Sequence, residues 1–256
     1  MTAIADLFSL RDRVALVTGA SSGIGRAMAE VLAEAGAAVA LVARRVAALD
    51  DVVRTVAGRG GRAVAVACDL ADHAALAAMP HTVREALGAP DILINAAGIN
   101  PRLPIEDVGI GDWNRTLAIN LTVPFLLAQE LAPAMVTRGW GRIVNIASLQ
   151  SVRAFPDGAP YGASKGGIVQ LTRAMAQAWS RHGVTCNAIA PGFFPTELTA
   201  RVFDDPVRVR DMAARTMSGR NGELDDLRGA TVFFASRASD YVTGQTLFVD
   251  GGFSAG

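Results

Sequence analysis

Three side chains between residues 148 and 165 have the types and spacing needed to move a proton to or from a bound molecule. Ser148 follows a largely apolar run (142–147), and Tyr161 and Lys165 come next, four residues apart. In a helix beginning near Pro160, that spacing puts the phenol and the ammonium on one face, one turn apart. An unperturbed tyrosine titrates near about 10. A fixed cation within a few ångströms favours phenolate and brings the group closer to the range where an acid or base is effective. Lys165 is the candidate cation, and Ser148 is the candidate hydrogen-bond partner of the substrate oxygen that gains or loses the proton. A Tyr-x-x-x-Lys pair also arises by chance on amphipathic helices, so its meaning depends on the elements around it.

Those elements repeat one pattern. Residues 13–18 (RVALVT) are a short apolar run, as expected of a strand buried on both faces of a parallel sheet. The run leads into Gly19, Ser21, Ser22, Gly23, Ile24 and Gly25, then into a stretch with Ile24, Ala27, Met28, Val31 and Leu32 at helical spacing. A strand, a glycine turn and a helix together present backbone N–H groups and the positive end of a helix to a phosphate. The spacing here is G-x-x-x-G-x-G rather than G-x-G-x-x-G.

A second strand (38–42) ends at Ala43-Arg44-Arg45. Dinucleotide folds place an acidic residue near here for the ribose hydroxyls, or an arginine for a 2′-phosphate. With no carboxylate and two arginines, Arg44 and Arg45 favour NADP(H) over NAD(H). A third strand (63–67) leads to Asp69 and Leu70, where Asp69 can cap the next helix, lie beside an adenine ring, or do both. A fourth (91–95) ends in Asn95-Ala96-Ala97-Gly98, small residues that let a ligand lie against the backbone. A helix over 113–133 carries Asn120 among apolar neighbours. That amide either holds a relay water or is satisfied by protein partners.

Beyond Lys165 the helical pattern stops at His182-Gly183, and a sixth strand (185–190) ends in Pro191-Gly192-Phe193-Phe194-Pro195-Thr196. Residues 197–222 are charged and irregular, suited to a lid over a substrate or to a solvated hairpin. A helix over 224–236 and a strand over 246–249 follow. Seven strands alternating with helices predict an α/β, single-domain, doubly wound Rossmann fold over 1–256, with a seven-stranded parallel sheet, helices on both faces and a lid at about 193–222. Ligands in such sheets lie outside the carboxyl ends of the strands. Gly19, Arg44, Asp69, Asn95, Ser148 and Pro191 all stand at those ends.

Composition excludes several classes of partner. Lys and Arg number 24, as do Asp and Glu, so no global charge draws the 256-residue chain to nucleic acid or anionic lipid. Neither an export signal nor an uninterrupted run of about 18 apolar residues is evident, and the cytoplasm is the expected compartment. Cys68 and Cys186 are far apart and the three histidines are scattered, so free thiols and no metal are expected.

Taken together, TGASSGIG (18–25), NAAG (95–98), Asn120, Ser148, YGASK (161–165) and PG with Thr196 resemble the short-chain dehydrogenase/reductase family over nearly the whole chain. The resemblance implies that Tyr161 is the general acid/base, that Ser148 positions the carbonyl, and that Lys165 binds the nicotinamide ribose and lowers the tyrosine pKa. It also implies that Asn120 holds a relay water, that Asp69 contacts adenine and that Phe194 and Thr196 contact the nicotinamide end. A homotetramer is a further implication. Within the family, AGIN followed by Arg102 and Pro104, SLQS (148–151), PGFFPTELT (191–199) and LFVDGG are similar to the gluconate 5-dehydrogenase group. Arg102 and Arg153 are then candidates to pair with a substrate carboxylate, with Gln150 and Phe193 as further substrate contacts. The lid lacks a proline common in relatives, which bears on substrate choice.

The expected activity is hydride transfer between NADP(H) and a ketone or secondary alcohol, with a sugar acid such as 5-ketogluconate or gluconate as the small-molecule partner. A 3-oxoacyl-thioester or other ketone reductase, with Phe155, Phe193 and Phe194 lining an apolar channel, is the alternative. A non-catalytic NADP-binding protein is more remote, because Asn120, Ser148, Tyr161 and Lys165 are all present.

Overall fold

The computed structural model describes residues 3–256. Each apolar run forms a strand: β1 (Val14–Thr18), β2 (Ala38–Ala43), β3 (Arg62–Ala67), β4 (Ile92–Asn95), β5 (Gly141–Ile146), β6 (Val184–Pro191) and β7 (Thr246–Val249). All pair in parallel, in the order β3-β2-β1-β4-β5-β6-β7. Val17 lies opposite Leu41 on one side and Ile94 on the other. Because side chains alternate along a strand, Ala15 and Val17 join one core and Leu16 the other.

The helices are α1 (Ile4–Phe8), α2 (Gly23–Glu34), α3 (Val46–Gly58), α4 (His73–Leu87), α5 (Ile110–Leu117), α6 (Val123–Arg138), α7 (Ala159–Trp179), α8 (Ala200–Phe203), α9 (Pro206–Ala214) and α10 (Arg228–Ala235). Met28 of α2, Leu49 of α3 and Phe234 of α10 fill the core on one face of the sheet. Leu76 of α4, Leu127 of α6 and Met175 of α7 fill the other. Full burial of each such side chain contributes about 1.5–3 kcal/mol. The chain runs from β1 outward to β3 and then returns to place β4 on β1's other side. The reversal leaves a crevice at the carboxyl ends of β1 and β4.

Local details refine or change the expectations. The helix over 113–133 is instead α5, a π-helical turn (Ala118–Thr122) and α6, with the Val123 N–H reaching the Ala118 carbonyl five residues back. Length and composition would let Ile110–Arg138 cross a membrane, yet Val123, Leu127, Leu131 and Met135 are buried in the core. Asp69 does not cap α4: the helix starts at His73, so Asp72 accepts the Ala74 and Ala75 N–H groups while Asp69 closes a turn to the Ala71 N–H. Arg142, at the start of an otherwise apolar strand, is buried against Trp140 and pairs with Asp240. Finally, residues 197–222 are not a hairpin. A 3₁₀ turn (Glu197–Thr199), α8 and α9 form a helical flap whose base is closed by the Gly222 N–H on the Phe193 carbonyl, at 2.9 Å.

Candidate active site

Tyr161 and Lys165 stand on the first turns of α7, which starts readily because Pro160 occupies a position where no N–H partner is needed. Lys165 is buried, and its Nζ donates to the Ile146 carbonyl at 2.5 Å and lies 5.6 Å from the centre of the Tyr161 ring. Ser148, just past β5, opens a 3₁₀ turn and its Oγ accepts the Gln150 N–H at 3.1 Å. Ser151 fastens this turn to α7: its Oγ accepts the Ser148 N–H at 3.2 Å and donates to the Lys165 carbonyl at 2.7 Å. The β5 loop and α7 therefore hold Ser148, Tyr161 and Lys165 as one unit.

Burial and nearby groups set the electrostatics of this unit. Burial pushes the Tyr161 phenol above its ordinary range, while the hydrogen bond with Ser148 and the charge of Arg102 pull it back. Lys165 stands 5.6 Å from the ring centre as a second nearby cation. Burial brings its own pKa down to about 8 from 10.5, and its ammonium is turned to the Ile146 carbonyl. At 1.36 kcal/mol per unit, keeping that charge buried costs about 3 kcal/mol. Arg102 adds its charge from a left-handed backbone position, φ 52°, a conformation that disfavours a side chain and is found at sites under functional constraint.

One cavity of about 1130 Å³ joins this unit to the rest of the crevice. Gly19, Ser21, Ser22, Gly23, Ile24 and Gly25 line it after β1, Arg44 and Arg45 after β2, and Asp69 and Leu70 after β3. A Cβ on Gly19 would sit 2.9 Å from Ala97, and one on Gly25 would sit 2.4 Å from the Gly19 carbonyl oxygen, so only glycine lets the turn close. Thr18 ties that turn to its neighbour by accepting the Ala96 and Ala97 N–H groups, each at 3.1 Å. Ala96 and Gly98 line the cavity after β4, and Pro191, Gly192, Phe193, Phe194 and Thr196 line it after β6. Arg102 and Gln150 close the substrate side.

Three expected residues lie elsewhere. Asn95 is buried behind the β4 turn, donating to Asn145 Oδ1 at 2.8 Å. Arg153 is exposed, donates to the Gly256 carbonyl and does not line the cavity, so it is not placed to meet a carboxylate there. Asn120 has its side chain held by protein partners: Oδ1 accepts the Ile99 N–H at 2.9 Å, and Nδ2 donates to the Ile99 carbonyl at 2.9 Å and to Ser164 Oγ at 3.0 Å. The protein partners that one of its two readings requires are therefore present. Its work is to clamp the β4 loop to α7 from a π-helical turn, a rare geometry common at functional sites.

Several cavity residues carried no signal in the pairwise motifs. Arg115 comes from α5, and Arg201, Arg208 and Arg215 come from the flap. Arg208 and Arg215, seven residues apart, return to one face only within α9 and its last turn, whereas Arg201 comes from the separate α8. Arg44 makes no side-chain hydrogen bond or ion pair among the described residues, whereas Arg45 pairs with Glu197 at 2.9 Å. The glycine cradle and an uncommitted Arg44 fit a phosphorylated dinucleotide: the turn offers N–H groups at a helix start and Arg44 offers a charged fork.

Comparison with known proteins agrees with this geometry. Residues 19–254 match a family model described as enoyl-(acyl carrier protein) reductase. A gluconate 5-dehydrogenase of Gluconobacter oxydans is 43% identical over 97% of both chains. A 5-keto-D-gluconate 5-reductase of Escherichia coli is 36% identical, covering 96% of this chain and 97% of its own. The crystal structure of a gluconate 5-dehydrogenase from Burkholderia cenocepacia, in complex with NADP and tartrate, superposes with a TM-score of 0.94 at 42% identity, covering 99% of this chain and all of its own.

Proposed function

The chain belongs to the short-chain dehydrogenase/reductase family, and from that premise we propose that it is an NADP(H)-dependent oxidoreductase interconverting a ketone and a secondary alcohol on a sugar acid, with 5-ketogluconate and gluconate as the model pair. The observation that carries this reading is the meeting, in one cavity, of Ser148, Tyr161 and Lys165 with a ring of arginines (Arg102, Arg115, Arg201, Arg208 and Arg215). An anionic, polar substrate suits that ring. In the acyl-thioester alternative Phe155, Phe193 and Phe194 would line an apolar channel; all three do line the cavity, with Phe155 and Phe193 packed on each other and on Phe253, and it is the arginine ring that favours the sugar acid.

The glycine turn from Gly19 to Gly25, Arg44, Asp69 with Leu70, the Ala96–Gly98 stretch and the Pro191–Thr196 stretch would hold the cofactor. Bound there, NADPH supplies the hydride. Tyr161 passes its proton to the substrate oxygen during reduction and takes it back during oxidation. Ser148 hydrogen-bonds the same oxygen and the phenol, aligning one with the other. Lys165 holds the ribose from a site already desolvated, and Arg102 favours phenolate while it faces the substrate carboxylate. Asn120 keeps α7 in register with the β4 loop. The 193–222 segment acts as the lid of a single domain, and the enzyme works in the cytoplasm as a homotetramer.

The test is absorbance at 340 nm with NADPH or NADH against 5-ketogluconate, a 3-oxoacyl thioester and simple diketones. Oxidation of NADPH by the keto acid alone is the expected result. Turnover confined to the thioester or diketones would overturn the substrate assignment, and an equal response to NADH would overturn the cofactor preference.

A further inference from the structure

Resting on that cofactor reading, we propose that Arg45 and Glu197 are a positioning pair that straps the lid down across the dinucleotide groove, leaving Arg44 alone to meet the cofactor's 2′-phosphate. Arg45 leaves the carboxyl end of β2, and Glu197 is the first residue of the 3₁₀ turn that begins the lid, 152 positions later. The two side chains meet in a two-pronged contact: Nη1 to Oε1 at 3.0 Å and Nη2 to Oε2 at 2.9 Å. Ser22 Oγ donates to the same Oε2 at 3.0 Å, and Arg45 Nη2 also reaches Ser22 Oγ at 2.9 Å and Ser21 Oγ at 3.2 Å. One knot thus links the β2 end, the phosphate-binding turn and the lid.

All four residues line the cavity, so the knot crosses its rim. The lid's root also touches the turn: the Thr196 side chain would lie 3.3 Å from a Cβ on Gly23. Among the described residues, Arg45–Glu197 is the one ion pair that joins the lid helices to the β2 side. Arg208–Asp205 and Arg220–Asp226 are local in sequence. The guanidinium holds the Glu197 carboxyl below the usual carboxylate range, so the pair is charged at neutral pH. Two adjacent arginines have therefore divided their work, one tied to protein and one left for a ligand.

An exposed pair of this geometry changes an equilibrium only a few-fold, so the readouts have to be kinetic and local. Hydrogen exchange of the 197–215 amides in free enzyme should speed up about threefold in both Glu197→Gln and Arg45→Gln, with no larger effect in the double variant. Stopped-flow release of NADPH and of NADH should speed up by the same factor for both cofactors, since the strap spans what they share. Raising salt should bring wild-type release toward the variants' rate, and Glu197→Asp should recover part of the difference. Unchanged exchange, multiplying single-variant effects, or slower release from Glu197→Gln would overturn the strap; the last would make Glu197 a competitor of the cofactor phosphate. Arg44→Gln separates the two claims. If lid exchange responds to the strap variants while Arg44→Gln leaves the NADPH preference intact or neither cofactor binds, the strap stands and the cofactor reading fails.

Discussion

The unit carrying Ser148, Tyr161 and Lys165 and the lid opposite it face each other across one cavity and are held by opposite means. The first is anchored to main chain: Lys165 to the Ile146 carbonyl, Ser151 to the Lys165 carbonyl, Asn120 to both polar groups of Ile99. Backbone anchors in a buried setting leave few alternative arrangements, as preorganised chemistry requires. The lid is held by a short 3₁₀ turn, two short helices and exposed ion pairs such as Arg45–Glu197 and Arg220–Asp226. Each such pair contributes about 0–1 kcal/mol, few enough to break and re-form at every turnover. The buried side should accordingly govern kcat, and the lid should govern binding and release.

Replacing Tyr161 is the largest way to break that contrast. Tyr161→Phe is expected to lower kcat by about 10³-fold while leaving the NADPH dissociation constant within about twofold. Single-turnover absorbance at 340 nm and a binding titration check this, and a loss seen mainly in KM would put the chemistry elsewhere.

Lys165→Met should also remove nearly all activity, yet raise Tm. The buried charge costs about 3 kcal/mol, and losing the charged bond to Ile146 returns about 1.5–3 kcal/mol of that, leaving a net gain of about 0–1.5 kcal/mol. The sign with pH follows from a folded pKa of about 8 beneath an unfolded one of 10.5. Below 8 both states are protonated and the penalty is complete. As pH rises from 8 to 10.5 the unfolded state alone still binds the proton, so wild-type stability rises and the variant's advantage disappears. Thermal melts from pH 7 to 10.5 read this directly.

Arg44→Gln is expected to weaken NADPH by about 10–100-fold, the value of charge-assisted hydrogen bonds to a phosphate, while NADH binding stays within about twofold; parallel titrations decide. Arg102→Gln touches both sides of the comparison. KM for the keto acid should rise about tenfold, and the alkaline limb of the pH–rate profile should move upward, because a charge that lowers the phenol's pKa has gone. A KM effect without that shift would assign Arg102 to the substrate only. The smallest effect belongs to Asp226→Asn. Arg220 holds the Asp226 carboxyl near 2, against 3.8 ordinarily, so its contribution is present above 3.8 and is lost as pH falls toward 2. Solvent screening limits it to about 0.5–1 kcal/mol, measurable as a melt difference at pH 7 that closes at low pH, with kcat unchanged.

Much of this molecule was legible before folding because its information is local. Strand, turn and helix follow from apolar periodicity and glycine placement, and the alternation of seven such units implies the sheet and the end at which ligands gather. Tyr161 and Lys165 share a face by spacing alone, and Gly19 and Gly25 announce a turn that no side chain could enter. Where the sequence left more than one outcome, the deciding contacts came from distant segments. Asn120 was ambiguous until Ile99 and Ser164 surrounded its amide, and Arg153 was a candidate until it was found on the Gly256 carbonyl. Arg44 and Arg45 are neighbours in one motif and were indistinguishable until Glu197 claimed one of them. The sequence by itself determined the order of elements, the cradle and the proton-carrying pair, since those rest on covalent spacing. Tertiary structure decided which charges remain available and what tunes the phenol, because desolvation and Coulomb interactions depend on distance through space, which residue numbers do not encode.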